Sequence, residues 1–530
     1  MNCIANVWGS KPTQSEAGKS GKLMELPKDS MLSNEHLTHN LGRRTASGGI
    51  IALCAQALIL LTQVGYMALM ARLLQPDDFG LVAMAAAATA FVGVFADLGL
   101  SMVTIQREEV DHDTVSALFF VNLGVGFALM PLTWLMAPVA TWIFNDPRVF
   151  DLILVLALAI PITAAGAQHK ALLVRNMRWM SLQGVNLGSL LCGFAVGVAM
   201  AWGWDFKYWS LAAATLTTAS VGTIGLWILS PWRPTRVANW MNAKSAIGFG
   251  IHYSGSQFTN YINRQSDNVL IGWKSGPGEL GFYTRAYSLF MLPITLVSGP
   301  IGSVIIPMLS RLQARPAEWA RTYLSAMRLT LMMNAILCIL ITINAQGIVA
   351  LVYGENWSKS GTILMVLSLS LITSISGQFG GWALISMGRA RELFVFSIFS
   401  SAIRFAAFLF AVQWGAPGVA LAWSITSWVF TPVLWLYATR NTELLFSDLV
   451  KAAAPFFFAY IAIVALFRFF WSSVGLSSDI LSLPAGGNIM LNSIVTIVIY
   501  GIFVVAPYRF AGSMLGDMRL FLDKDVRSGG

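Results

Sequence analysis

Apolar segments of about twenty residues, the length a helix needs to cross roughly 30 Å of hydrocarbon, recur from Gly49 almost to Ala506. In hydrocarbon every backbone N–H and C=O must find its partner within the protein, so a spanning chain folds as helices or as a closed barrel. Barrel strands alternate lipid-facing and interior residues, and runs such as LILVLALAI (Leu152 to Ile160) do not alternate. Charged residues make up 11% of the chain, well below the roughly 25% of soluble domains. The fold class expected is therefore an all-α polytopic membrane protein.

Apolar runs read against turn residues give about fourteen transmembrane helices. Six precede Pro231: Gly49 to Leu69, Phe79 to Val103, Val115 to Met136, Phe150 to Gln168, Leu182 to Trp202 and Tyr208 to Leu229. Six follow: Ser245 to Gly272, Tyr283 to Leu309, Ala326 to Ala345, Gly361 to Ile385, Leu393 to Gln413 and Val419 to Tyr437. Two more run from Ala453 to Trp471 and from Ile489 to Ala506. Residues 1–47 are polar and mixed in charge, with no apolar core after a basic start, and read as a cytoplasmic, disordered tail and not a signal peptide. Within it TQSEAGKS (Thr13 to Ser20) misses a phosphate-binding loop, because Thr13 stands where the first glycine belongs and no strand precedes it. Whether Met1 or Met31 starts the chain stays open. The four cysteines and five histidines show no ligand spacing, so no metal or other cofactor is expected.

Short cytoplasmic loops retain Lys and Arg while translocated loops lack them. With the N-terminus inside, 24 of the 34 Lys and Arg fall in cytoplasmic segments, five in outer segments and five in the spans. The net charge of +9 is thus an orientation signal and no evidence for nucleic acid, which would call for a basic soluble domain. Both termini, including the tail 509–530, are expected in the cytoplasm.

A shift of 201 residues superposes the first span on the seventh: Gly49, Ile50, Gln56, Leu69, Pro76, Gly80 and Ala85 fall on Gly250, Ile251, Gln257, Leu270, Pro277, Gly281 and Ala286. Shared apolar composition explains Leu and Ala, but not a Pro and a Gly at one spacing or a Gln inside a span. Six spans separate the copies, so both enter the membrane in the same direction. The expectation is two parallel-repeat six-helix lobes, 48–238 and 239–440, around a central cavity, plus two C-terminal helices in 441–508.

Intramembrane charges are costly and face a bundle interior or aqueous cavity. In FTNYINRQSDNVL (Phe258 to Leu270) and the residues before it, Tyr253, Gln257, Asn260, Arg264 and Asp267 form one polar stripe at helical spacing, which would line the cleft between lobes. In the repeat Gln56 pairs with Gln257, Gln63 with Arg264 and Tyr66 with Asp267, confining the charge to the second lobe. Of five intramembrane arginines, Arg264 and Arg404 demand an internal explanation, whereas Arg285 and Arg468 lie towards outer ends and Arg328 can snorkel. Candidate cavity residues are Arg264, Arg404, Asn260, Gln257, Gln56 and Gln63. Asp267 and Asp97 are candidates for ion pairing or coupling. Arg264 and Asp267 as a neutral structural pair is the competing reading; a cavity with more arginine than carboxylate suits an anion instead, because guanidinium donates bidentate bonds to phosphate.

ARLLQPDDFG (Ala71 to Gly80), FADLGLSMVTIQR (Phe95 to Arg107), DNVLIGWKSGPGELGFYTRAYSL (Asp267 to Leu289) and IIPMLSRLQ (Ile305 to Gln313) resemble the recurrent segments of bacterial polysaccharide flippases. These belong to the multidrug/oligosaccharidyl-lipid/polysaccharide flippase (MOP) superfamily, in its exopolysaccharide and lipopolysaccharide transporter branch. The resemblance covers about Arg43 to Arg440. It implies a non-enzymatic transporter of the bacterial inner membrane, in contact with membrane lipids, that moves undecaprenyl-diphosphate-linked oligosaccharide from the cytoplasmic to the periplasmic leaflet beside polymerase and export proteins. It also implies cationic cavity residues that engage the diphosphate, here Arg264 and then Arg404. A multidrug or cation antiporter of the related extrusion branch would want acidic residues in the N-terminal lobe, where only Asp97 qualifies. A membrane glycosyltransferase or polymerase would want a large extramembrane domain, and the longest outer loop, Ser472 to Asn488, has no room for one. The charge distribution makes one direct prediction: a reporter active only in the periplasm should be silent when fused after Gly530, and activity there would overturn the threading.

Overall fold

The structure, a computed structural model, describes residues 41–93, 95–96, 99–106, 110–204, 206–235, 241–440, 442–473, 492–493 and 496–501; for 41–54, 241–264, 468 and 470–473 it describes the backbone alone. These residues form sixteen α-helices, and no strand occurs among them. Among the described residues nine helical stretches are long and apolar enough to cross a bilayer, ten if one pair bent by 48° counts as one span. Up to Trp471 the expected spans fall on helices or on broken pairs of helices. The expected span Ile489 to Ala506 lies mostly outside the described residues, as do the N-terminal tail to residue 40 and Asp97.

Helices α1 (Leu41–Leu73), α2 (Pro76–Gly93) and α3 (Leu100–Gln106) take up the first two expected spans. They are followed by α4 (His112–Phe144), α5 (Arg148–Leu156), α6 (Ala159–Arg175), α7 (Trp179–Gly203) and α8 (Tyr208–Leu229). α4 stops at Asn145, whose left-handed backbone (φ 52°) closes the helix. α9 (Met241–Phe290) is two arms in one: Gly276 (φ 82°) breaks it, and Pro277 starts the second arm where a missing N–H costs nothing. The expected span from Tyr283 to Leu309 continues through a π-helical turn, Ile294–Ser298, flanked by Pro293 and Pro300, into α10 (Gly299–Arg311). Then come α11 (Pro316–Tyr353), the bent pair α12 (Ser358–Ser368) and α13 (Leu371–Ser386), α14 (Ala390–Ala411), α15 (Gly415–Thr439) and α16 (Phe446–Ser473).

Helices pack mostly within their own half of the sequence: α7 on α8 and α4 on α6 in the first, α11 on α12 and α13 on α15 in the second. The largest contact across the halves is α2 on α9. Trp142, Trp202, Trp204 and Trp414 are exposed near the ends of helices that point the same way as the α1–α2 turn, the pattern of an interfacial aromatic belt.

At that end the repeat becomes a contact. A Cβ on Gly80 would overlap the Pro277 carbonyl, and a Cβ on Gly281 would overlap the Pro76 carbonyl. Positions that match at a shift of 201 therefore touch reciprocally, first half to second and second half to first, as in an isologous interface. Both segments begin with proline and carry an acid in the first turn. Asp78 Oδ2 accepts from Gln75 N–H (3.0 Å), and Glu279 pairs with Lys359 (2.8 Å). Other bonds cross nearby: Trp357 Nε1 donates to the Ala71 carbonyl (2.8 Å), and Arg72 donates to the Leu351 carbonyl (2.8 Å). In the loop after α4, burial would raise the Asp146 carboxyl, but hydrogen bonds and charge from Arg148 outweigh it and hold the group below its ordinary range.

Because carbonyl backbone lies where a side chain would go, Gly80→Val should force this end apart. A cysteine at Ala71, 4% exposed here, should become reactive to a membrane-impermeant maleimide in the Gly80→Val background. Continued protection would refute the contact.

Candidate functional site

Gln257, Asn260 and Arg264 lie on the first arm of α9 with their side chains outside the described residues. Gln56 is exposed and Gln63 half-buried on α1. Asp267, four-fifths of a turn beyond Arg264 at about 3.6 residues per turn, is 2% exposed. It does not open onto a cleft. Tyr283 Oη, on the second arm of α9, donates to its Oδ2 (2.8 Å), and the Asn268 N–H donates to its Oδ1 (2.9 Å). The buried carboxylate thus ties the two arms together across the Gly276 break. Tyr283 stacks on Tyr287 with ring centroids 6.0 Å apart.

Arg404, on α14, joins the same cluster. Its Nε donates to Thr426 Oγ1 (3.3 Å), its guanidinium lies 4.6 Å from the Trp423 ring centroid, and Asp267, Tyr283 and Tyr287 are within electrostatic reach. The structure brings Asp267 and Arg404 within electrostatic reach of each other inside the second half, without a direct ion pair between them. Arg404 is half-buried, its guanidinium resting on Trp423 and bonded to Thr426.

The first half holds a cavity of about 530 Å³ lined by α3, α6, α7 and α8, with Ser101, Thr163, Lys170, Asn186, Thr218 and Thr223 among glycines and alanines. A second space of about 270 Å³ shares Gly93, Ala96 and Thr163 with it and adds Thr89 and Thr215. Among the described residues no carboxylate lines either space; Asp97, one position beyond the lining residue Ala96, lies outside them. Lys170 is exposed and makes no hydrogen bond or ion pair among the described residues. Such a surface offers hydroxyl donors and acceptors to a polar ligand and one cation to an anionic group. No group of three or more His, Cys, Asp or Glu that could hold a metal occurs among the described residues.

Residues 69–362, more than half of the chain, match a family described as polysaccharide biosynthesis protein. The chain belongs to that family. The lipopolysaccharide biosynthesis protein WzxC of Escherichia coli K12 is 23% identical over 400 residues, 74% of this chain and 80% of its own. The succinoglycan biosynthesis transport protein ExoT of Rhizobium meliloti is 24% identical over 302 residues, 57% of this chain and 61% of its own. The fold is that of the lipid II flippase MurJ in an inward closed conformation, with a TM-score of 0.71 and 13% identity over 87% of this chain and 99% of that one. An inward-facing multidrug transporter of the MOP superfamily matches at 0.54 with 15% identity, over 76% of this chain and 99% of that one.

Lys170 is the cavity residue that a loop assignment concealed. Its signal was present as Thr163, Gly166, Ala167, Lys170 and Val174, one helical face of small residues ending in a cation. For the second-half cluster, Tyr283→Phe should remove a hydrogen bond to a buried carboxylate and cost about 1.5–3 kcal/mol, read as a lower unfolding temperature in detergent. Asp267→Asn should lose less in the Tyr283→Phe background than in the native one; strict additivity would show the bond to be energetically idle.

Proposed function

We propose that this protein translocates undecaprenyl-diphosphate-linked oligosaccharide from the cytoplasmic to the periplasmic leaflet of a bacterial inner membrane. The observation that carries the reading is the first-half cavity, whose described lining holds hydroxyls and one lysine and no carboxylate, in a chain of the polysaccharide biosynthesis family. Sugars hydrogen-bond to hydroxyls and amides, a diphosphate needs cations, and a drug cation needs carboxylates, of which the described lining has none. The likeness to MurJ over most of the chain supports a transporter architecture.

On this reading residues 48–238 and 239–440 act as two lobes that rock by alternating access, with both termini in the cytoplasm. The reciprocal contact of Gly80 and Gly281 closes the periplasmic end, and the substrate enters from the cytoplasmic side. Arg264 and Lys170 engage the diphosphate, while Gln257, Asn260, Gln56 and Gln63 line the path. Asp267, buried within electrostatic reach of Arg404, is a carboxylate suited to coupling. A polymerase and export proteins take the product onward.

Leaflet-resolved measurement of the lipid-linked intermediate tests this. Cells lacking the protein should hold the intermediate on the cytoplasmic leaflet, and the unaltered chain should release it. Arg264→Ala should lose roughly tenfold or more of that transfer at normal membrane abundance, Arg264→Lys should keep part of it, and Lys170→Ala should fall between. Recovery of transfer when Asp267→Ala is added to Arg264→Ala would make Arg264 half of a structural pair.

A further inference from the structure

Arg285 stands on the second arm of α9, one helical turn past Gly281. Its guanidinium carbon lies 4.7 Å from the centroid of the Phe79 ring, which belongs to α2 and immediately precedes Gly80. Tyr66 of α1 and Tyr353 of α11 are within electrostatic reach. The Nε is sealed from solvent with no hydrogen-bond partner, and so is the Tyr66 hydroxyl, while the Arg285 side chain as a whole stays partly exposed.

No carboxylate among the described residues pairs with Arg285, and the acids around it are already engaged. Asp77 and Asp146 hold Arg148, Glu279 holds Lys359, Asp78 caps α2 and Asp267 accepts from Tyr283. A guanidinium inside a membrane protein is costly unless a counter-charge reaches it, and an aromatic face offers only partial compensation. Planar, bidentate donation matches phosphate and carboxylate oxygens, and phosphate is the anion that lipid head groups commonly carry.

We propose that Arg285, with Tyr66 as a second donor, is an anion-receiving site at the junction of the two halves, taking a phosphate or diphosphate group directly beneath the reciprocal Gly80–Gly281 contact. The site is tied to that contact. Phe79 and Gly80 are neighbours on one side, and Gly281 and Arg285 share a helix face on the other. An anion that draws the guanidinium off the Phe79 ring removes an attraction between the halves at the point where their backbones touch. Arrival of the ligand's head group thereby loosens the closed end, and closure returns when the anion leaves. The identity of the natural ligand rests on the proposed function; the anion site itself rests on the geometry.

The experiment uses the full-length protein in nanodiscs of zwitterionic lipid, with farnesyl diphosphate, inorganic pyrophosphate and farnesol as probes and Ala71→Cys as the accessibility reporter. Farnesyl diphosphate should bind and raise maleimide labelling, pyrophosphate should do so more weakly, and farnesol should not. Arg285→Met should weaken diphosphate binding by roughly tenfold or more and abolish the labelling response. Arg285→Lys, which keeps the charge and guards against misfolding of the Met variant, should retain part of both. Phe79→Leu should raise labelling without any ligand. Wild-type binding and labelling in Arg285→Met, or an equal response to farnesol, would overturn the site. If the unaltered chain moves no lipid-linked oligosaccharide in cells, the functional reading fails independently; if it does and Arg285→Met does so equally, the anion site alone fails.

Discussion

Two backbones touch where Gly80 meets Pro277 and Gly281 meets Pro76, and the relation between the halves depends on that contact. Lipid supplies no hydrophobic drive between helices, so close van der Waals approach and polar bonds must hold them. Glycine permits the approach because it has no Cβ. Because each half presents the same proline-to-glycine segment, one arrangement satisfies both sides at once, and one movement breaks both. The Trp357 bond to the Ala71 carbonyl, the Arg72 bond to the Leu351 carbonyl and the seat of Arg285 on Phe79 are grouped around it.

The repeat keeps this scaffold while its chemistry diverges. Tyr66 and Asp267 occupy matching positions. Tyr66 stacks on Phe194 with ring centroids 3.7 Å apart, whereas Asp267 takes a hydrogen bond from Tyr283 beside Arg404. The second half thus carries a buried carboxylate within electrostatic reach of an arginine, and the first carries a space whose described lining holds hydroxyls and one lysine. A transporter of an anionic, sugar-bearing lipid needs both kinds of surface: neutral polar groups that hold a sugar without trapping it, and cations left free for phosphate. The proposed roles of Lys170 and Arg285 follow from their lack of an ion pair among the described residues, since a cation already neutralised gains little from a ligand.

The sequence by itself determined the helical class, because hydrocarbon forbids an unpaired backbone and the non-alternating runs forbid a barrel. It also placed nearly every helix up to Trp471 and exposed the repeat through Pro76, Gly80, Pro277 and Gly281, residues whose backbone demands do not depend on neighbours. It located Asp267 and Arg404 as charges in need of an explanation. Only the tertiary structure decided what surrounds them. Helical spacing puts Asp267 in line with Arg264, but a side chain's partner is chosen by the helices packed against it, and here those bring Tyr283 and Arg404. The same reason moved Lys170 from a loop into a cavity wall and Arg285 from a helix end to the seam between halves. Spacing along one helix is local information; which cation remains unpaired is a property of the whole packing.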